Sequence, residues 1–157
     1  MADIRRPLGH LAVSAAVRAP VEAVWAATTD WERQGEWMPG TRVRATAQQG
    51  RGVGGGIEAW TGIGPLGFLD TMVITAWEPP HRCVVRHTGR LVRGGGAFEV
   101  AQAPDGGSTL TWIEELDLPG GALGRLAWRV IQPAVRHTVA RSLGKLAASV
   151  EDSARLS

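Results

Sequence analysis

Tyrosine is absent from this sequence of 157 residues, and cysteine and lysine occur only once each. The single cysteine, Cys83, excludes an internal disulfide and any metal site built from several cysteines. It lies in the apolar run Arg82-Cys83-Val84-Val85, so we interpret it as a small buried hydrophobe rather than a reactive thiol. The single lysine, Lys145, is the only candidate for a Schiff-base amine, and without tyrosine no phenol is available to orient an enolate.

An excess of charge of one sign is also missing. Lysine and arginine number 17 against 15 aspartates and glutamates, which gives a formal net charge of +2. The high isoelectric point overstates the basic character, because nearly all the basic residues are arginines and no tyrosine titrates below them. The arginines are scattered and are offset by acidic groups such as Glu114, Glu115 and Asp117. A nucleic-acid surface clusters its positive charge, so we expect no nucleic-acid partner.

Long apolar runs are lacking as well. None approaches the roughly 18 residues that a membrane span needs, and residues 1–6 lead into no apolar core of the kind found in a signal peptide. We therefore expect a cytoplasmic protein. A chain of this length buries one core well and two poorly, so residues 1–157 are expected to form a single domain. The sequence leaves open whether two copies form a homodimer.

Strand patterns fill the middle of the chain, and a helical pattern ends it. Two short helices are expected after the first strand, one opened by Pro20 and one capped by Asp30. The final pattern, from about residue 119 to 153, contains Pro133 and predicts either a kinked helix or two helices. Strands are predicted over residues 11–17, 41–48, 57–61, 68–77, 82–88, 96–103 and 108–118.

The order of these elements predicts an α+β fold. Short connections between strands are typical of an antiparallel meander, and one face of such a sheet needs cover. The C-terminal helix can supply it, because Val135, Val139, Leu143 and Val150 lie on one side of that helix at three-to-four spacing. About seven strands curving around one helix leave a gap in which small apolar molecules bind.

Several segments carry a resemblance to a known superfamily. They are Val17-x-Ala19-Pro20-x-Glu22-x-Val24-Trp25, Asp30-Trp31-Glu32-Arg33, Trp37-Met38-Pro39, Trp77-Glu78-Pro79-Pro80-His81-Arg82 and Thr109-Leu110-Thr111-Trp112-Ile113-Glu114-Glu115. Together they resemble the START-like (SRPBCC) superfamily of helix-grip proteins, and most closely its polyketide cyclase/dehydrase-like branch. The resemblance implies the helix-grip fold and a polyketide-like or lipid-like ligand. The catalytic residues of the aromatase/cyclases in that branch do not match this sequence position by position.

Three polar residues lie on strand faces that are otherwise apolar. Alternate residues of a strand point the same way, which groups Asp70 with Phe68 and Met72, His87 with Cys83 and Val85, and Glu114 with Trp112. If these faces line the gap, Asp70, His87 and Glu114 are candidate catalytic residues that exchange protons inside an apolar cavity. The candidate ligand-binding residues are Trp60, Phe68, Met72, Val85, Phe98 and Trp112.

Each candidate also has a purely structural interpretation. Glu114 points outward if its strand carries a bulge, Asp70 can lie at a strand end, and His87 can face solvent beside Arg86. Trp60 lies on the opposite side of its strand from Ile57 and Ala59, so the sequence leaves open whether Trp60 points into the gap.

Cofactor and metal motifs are not supported. Residues 50–55 spell GxGxxG, but a strand-like segment follows where a dinucleotide fold needs a helix, so we interpret them as a flexible loop. No two histidines stand at ligand spacing with a carboxylate, and we expect neither a metal nor a cofactor. Two functions remain: a carrier that binds a small hydrophobic molecule, or a cofactor-independent cyclase or dehydratase that uses Glu114, His87 and Asp70 for proton transfer.

Overall fold

The computed structural model describes residues 9–157, so the expectation for residues 1–6 lies outside it. Short 3₁₀ turns occur at Trp31–Glu36 and Ala47–Gly50. The regular elements are β1 (Gly9–Val17), α1 (Val21–Thr28), β2 (Thr41–Ala45), β3 (Gly56–Ile63), β4 (Leu66–Glu78), β5 (Arg82–His87), β6 (Gly94–Gln102), β7 (Ser108–Leu116) and α2 (Gly121–Arg155).

All seven strands form one antiparallel sheet in the order β1-β7-β6-β5-β4-β3-β2. From β2 to β7 each strand pairs with the next one along the chain, as short connections dictate. Pro79 and Pro80 end β4, since proline cannot donate to a ladder. β1 pairs with β7 over its whole length, from Gly9 opposite Leu116 to Val17 opposite Ser108. The sheet curls into a half-barrel around α2, which confirms the predicted helix-grip arrangement.

Most predicted strands differ from the observed ones by one to three residues at an end, and two of these differences have a clear backbone cause. β2 ends at Ala45 rather than at residue 48, because Gln48 and Gln49 adopt positive φ angles of 51° and 56° and turn the chain. β6 begins at Gly94, two residues before the predicted start, although Gly94 has a φ of 109°. A Cβ at Gly94 would lie 2.0 Å from the carbonyl oxygen of Glu115, so only glycine permits this pairing.

Helix α2 runs through Pro133 as one element, so of the two alternatives that the sequence left open, the division into two helices is not seen. Its core face is the stripe anticipated from the sequence. Leu143 is fully buried, and Val139, Leu146 and Val150 are nearly so. Burying one such side chain stabilises the fold by about 1.5–3 kcal/mol, so this stripe holds the helix in the curved sheet.

Helix α1 closes one end of the core. Val21, Val24 and Trp25 are buried along its inner face, and the Trp25 ring meets that of Trp77 edge-on at 5.0 Å. Among the helices described between residues 9 and 157, none has the length and apolar character to cross a membrane.

Candidate functional site

A cavity of about 390 Å³ lies between the curled sheet and α2. Small-molecule sites have volumes of roughly 300–1,000 Å³, so this one is the size of a small ligand. Most of its lining is apolar. Five aromatic side chains contribute to the wall: Trp31, Phe68, Phe98, Trp112 and Trp128.

Strand alternation brings the three polar candidates to this wall. Asp70 follows Phe68 and precedes Met72 on the inner face of β4, and His87 ends β5 directly opposite Met72. Glu114 lies on the inner face of β7, opposite Gly96 of β6. Asp70 and His87 come from adjacent strands, whereas Glu114 reaches His87 across the intervening strand β6.

The three side chains form one hydrogen-bonded chain. His87 Nδ1 lies 2.9 Å from Asp70 Oδ2 and 3.0 Å from Oδ1, while His87 Nε2 lies 3.2 Å from Glu114 Oε2. Trp112 Nε1 donates to the other oxygen of Glu114, Oε1, over 2.7 Å. The side chains of His87, Asp70 and Glu114 are 5%, 12% and 18% exposed. An imidazole that faces carboxylates at both nitrogens donates from both, which is the imidazolium form.

The charge state of His87 follows from this geometry. Burial lowers the pKa of His87, but hydrogen bonds and charge attraction from Asp70 and Glu114 outweigh burial and raise it to about 9. His87 is therefore protonated at neutral pH. Because one imidazolium lies between two carboxylates, the side chains of Asp70, His87 and Glu114 together carry one net negative charge.

Gly96 makes room for the Glu114 carboxylate. A Cβ at position 96 would lie 3.2 Å from both Glu114 oxygens, which is tighter than ordinary packing. Sequence alone does not reveal this contact, because the pairing of Gly96 with Glu114 depends on the register of β6 against β7.

Of the predicted ligand-binding residues, the cavity wall includes Phe68, Met72, Val85, Phe98 and Trp112. Trp60 does not line the cavity and is dropped from this set. Ile57 and Ala59 take the inner face of β3, so Trp60 points outward, where the Arg42 guanidinium lies 5.0 Å from its ring centre.

Two tryptophans outside the predicted set contribute to the wall. Trp31 Nε1 donates to the Gly50 carbonyl over 2.8 Å, and the ring of Trp31 lines the cavity. Trp128 is buried and lines the cavity from α2.

Cys83 lies in the wall with its thiol buried, and burial raises the pKa of this thiol to about 12. It therefore stays neutral, as expected for a small hydrophobe. Lys145 is exposed on α2 and does not line the cavity. Within residues 9–157 no cluster of three or more His, Cys, Asp or Glu side chains is arranged to hold a metal ion.

A curled antiparallel sheet that grips a C-terminal helix around an apolar cavity defines the helix-grip class of proteins. Solved structures share this fold at low sequence identity. TTHA0849 from Thermus thermophilus is 14% identical with a TM-score of 0.76, and the match covers 92% of this chain and 99% of that one. The Zhui aromatase/cyclase from Streptomyces sp. R1128 is 18% identical with a TM-score of 0.68, over 91% of this chain and 93% of that one.

The di-domain aromatase/cyclase StfQ from the steffimycin biosynthetic pathway is 15% identical with a TM-score of 0.72, over 92% of this chain and 52% of that one. No curated protein matches the sequence. The sequence profile of the family described as polyketide cyclase/dehydrase and lipid transport matches residues 9–151. The chain belongs to this family.

Proposed function

We propose that the protein binds a small, largely hydrophobic molecule of polyketide-like or lipid-like character in the cavity between sheet and helix, as a carrier or binding protein. The observation that carries this proposal is an apolar cavity of about 390 Å³ with Asp70, His87 and Glu114 grouped in its wall. Apolar walls supply affinity, and a small number of placed polar groups fix orientation. The family description names both polyketide cyclases and lipid transport, which supports this ligand class.

A matched pair of variants on β5 tests the proposal. Val85 lines the cavity, whereas its neighbour Val84 is not part of the lining. Val85→Phe fills the cavity and is expected to abolish binding of the neutral fluorophore N-phenyl-1-naphthylamine, while Val84→Phe leaves binding within about threefold of wild type. Titration of the purified protein by fluorescence measures both. Saturable binding that survives Val85→Phe, or no binding by the wild type, would remove the cavity as the site.

The Asp70–His87–Glu114 chain favours a second function, a cofactor-independent cyclase or dehydratase. Glu114 is the base: it takes the proton from a carbon next to a ligand carbonyl, and the resulting enolate attacks a second carbonyl to form a carbon–carbon bond. Glu114 then returns the proton to the new alkoxide, so the step is an aldol closure with no net change in protons. His87 as imidazolium stabilises the charge on Glu114, and Asp70 positions the ring.

Proton abstraction can be tested without the natural substrate. We expect the protein to accelerate exchange of the α-hydrogens of 2-tetralone for deuterium in D₂O, followed by proton NMR. Glu114→Gln should abolish the acceleration while 2-tetralone still binds within a few fold. If wild type and Glu114→Gln exchange at the same rate although both bind, Glu114 is not a base and the carrier function stands alone.

A further inference from the structure

The polar patch in the cavity wall is able to accept hydrogen bonds but offers no free donor. Both His87 nitrogens are taken up by Asp70 and Glu114, and the Trp112 Nε1–H is taken up by Glu114. A carboxylate has about four acceptor positions, of which Glu114 uses two in these bonds. A ligand group that meets Glu114 must therefore donate a hydrogen bond.

In the part of the cavity wall that the structure describes, no positive charge balances the patch. Among residues 9–157, no lysine or arginine lines the cavity, and its charged groups are Asp70, His87 and Glu114. The net negative charge of this group repels an anionic ligand in a medium where charges interact strongly. An apolar carboxylate is therefore a poor fit.

Aromatic rings flank the same patch. Trp112 lies two residues from Glu114 on one strand face, and Phe98 is its partner across β6, with ring centres 5.2 Å apart and the planes tilted by 56°. The face of an aromatic ring attracts a cation. An ammonium group bound to Glu114 would therefore lie close to the Trp112 and Phe98 rings.

Resting on the proposed function, we infer that the cavity selects an apolar molecule that carries a hydrogen-bond donor, prefers a protonated amine over a hydroxyl group, and rejects a carboxylate. Arg90 and Arg93 flank the lining residue Val92. Both are exposed, so salt screens their charge and they affect the association rate more than the affinity.

Three probes of one shape test the ranking: 1-naphthylmethylamine, 1-naphthalenemethanol and 1-naphthoate, titrated calorimetrically at pH 7. We expect the amine to bind about tenfold more tightly than the alcohol, and the carboxylate not to bind. Glu114→Gln should weaken the amine about tenfold and leave the alcohol within about threefold. Asp70→Asn, which changes the charge without touching Glu114, should weaken the amine less.

The outcomes separate this inference from the function on which it rests. If the alcohol binds and the amine is no better, or the carboxylate binds as well, the preference for a cation is wrong while the cavity remains a binding site. If none of the three probes binds, both the inferred ligand preference and the proposed binding function are wrong. The wild-type ranking decides the matter even if a variant fails to fold.

A different feature supports a second inference. The first half of α2 carries an apolar stripe on the side opposite its buried residue Trp128. Leu123, Leu126 and Val130 repeat at three-to-four spacing and are 77%, 59% and 72% exposed. A helix with apolar residues on both sides has one side that the sheet does not cover.

Two loops add exposed apolar side chains at the same end of the molecule. The β3–β4 hairpin presents Ile63 and Leu66, 87% and 78% exposed, and the β5–β6 connection presents Leu91, 69% exposed. The Asp117 amide, just before α2, donates to the Arg93 carbonyl at the end of that connection over 2.9 Å. The three segments also meet at the cavity, which is lined by Phe68, Val92 and Trp128. We call the exposed set Ile63, Leu66, Leu91, Leu123, Leu126 and Val130 the rim.

The charge of the segments that carry the rim indicates which kind of surface the rim binds. Residues 63–69, 88–93 and 117–131 include Arg90, Arg93, Arg125 and Arg129 and one acidic residue, Asp117, whereas the whole chain has a net charge of only +2. Two copies that met rim to rim would bring these arginines together, which opposes self-association. Apolar side chains interspersed with arginine are typical of segments that lie in an anionic membrane surface. We propose that the rim docks on an anionic lipid bilayer and faces the cavity toward it.

Vesicle co-sedimentation tests this docking. We expect binding to vesicles of equal parts phosphatidylglycerol and phosphatidylcholine, loss of binding at high salt, and little binding to phosphatidylcholine alone. The double variant Leu126→Ser, Val130→Ser should lose most of the binding. Val53→Ser is the matched control, because Val53 is 65% exposed in the loop before β3, at the far end of that strand from the hairpin.

Three results would overturn the docking proposal. They are equal binding to neutral and anionic vesicles, an equal loss of binding in the Val53 control, and absence of binding by the wild type. Light scattering that shows a stable dimer lost in the double variant would assign the rim to self-association instead. Retention on an acidic protein without retention on vesicles would assign it to a protein partner.

Discussion

The charge on His87 is the property of the site that is most open to a quantitative test. The pKa of His87 is raised to about 9 from an ordinary value of 6.5, because hydrogen bonds and charges from Asp70 and Glu114 outweigh burial. One pKa unit corresponds to about 1.4 kcal/mol, so the two carboxylates favour the folded protein by at most roughly 3 kcal/mol when His87 is charged.

The direction of the pH dependence follows from the raised value. Because the folded pKa lies above the unfolded one, this contribution is fully present below about pH 6.5. It is lost as the pH rises and is gone once the pH passes about 9. Urea denaturation across this window should show the free energy of unfolding of the wild type falling by up to about 3 kcal/mol more than that of His87→Asn.

NMR titration of the His87 Cε1–H resonance reports the same quantity directly, with the resonance assigned by its loss in His87→Asn. Glu114→Gln keeps a hydrogen-bond acceptor but removes one of the two charges, and should lower the pKa of His87 by about one unit. A wild-type midpoint at or below the ordinary value would show that burial outweighs both carboxylates, and the reasoning about a charged His87 would be refuted.

Further predictions concern packing and the surroundings of the site. Leu143→Ala should lower the free energy of unfolding by about 2–5 kcal/mol, whereas Leu156→Ala, at an exposed position, should change it by less than about 0.5 kcal/mol in the same urea titration. Gly94→Ala should cost at least about 1–3 kcal/mol, because its positive φ and its contact with Glu115 leave no room for a Cβ; an unchanged midpoint would contradict this pairing. Gly96→Ala should displace the Glu114 carboxylate and shift the His87 resonance while changing stability less than Gly94→Ala does.

The fold was largely predictable because its signals are local. Alternation of period two defines the strands, and the stripe that includes Val139, Leu143 and Val150 defines the covering face of α2. Two of the boundary errors fall where the backbone conformation departs from these periods. Two consecutive positive φ angles at Gln48 and Gln49 end β2 early, and the pairing of Gly94 extends β6, which no pattern of side chains records.

Alternation groups Asp70, His87 and Glu114 with apolar neighbours on their strands, but it leaves open whether they face inward and whether they contact one another. That contact depends on the register between strands, and β4 shifts by one residue against β5 between Ile74 and Ala76. The shift sets which residue of β4 stands opposite His87. The alternation of residues within one strand does not reveal such a shift, because a bulge is defined by an extra residue relative to the neighbouring strand.

Synthesis order gives the β1–β7 pairing a further consequence. As the chain leaves the ribosome, β3 through β7 can each pair with the strand made just before, but β1 waits until residues 108–116 have emerged. Its apolar face, including Leu11 and Val17, stays without its final neighbours through most of translation. Pairings so distant in sequence form slowly, and unpaired strands of this kind are prone to aggregate. Yield in the cell should therefore depend more on chaperones that hold nascent chains than the stability of the finished domain would suggest.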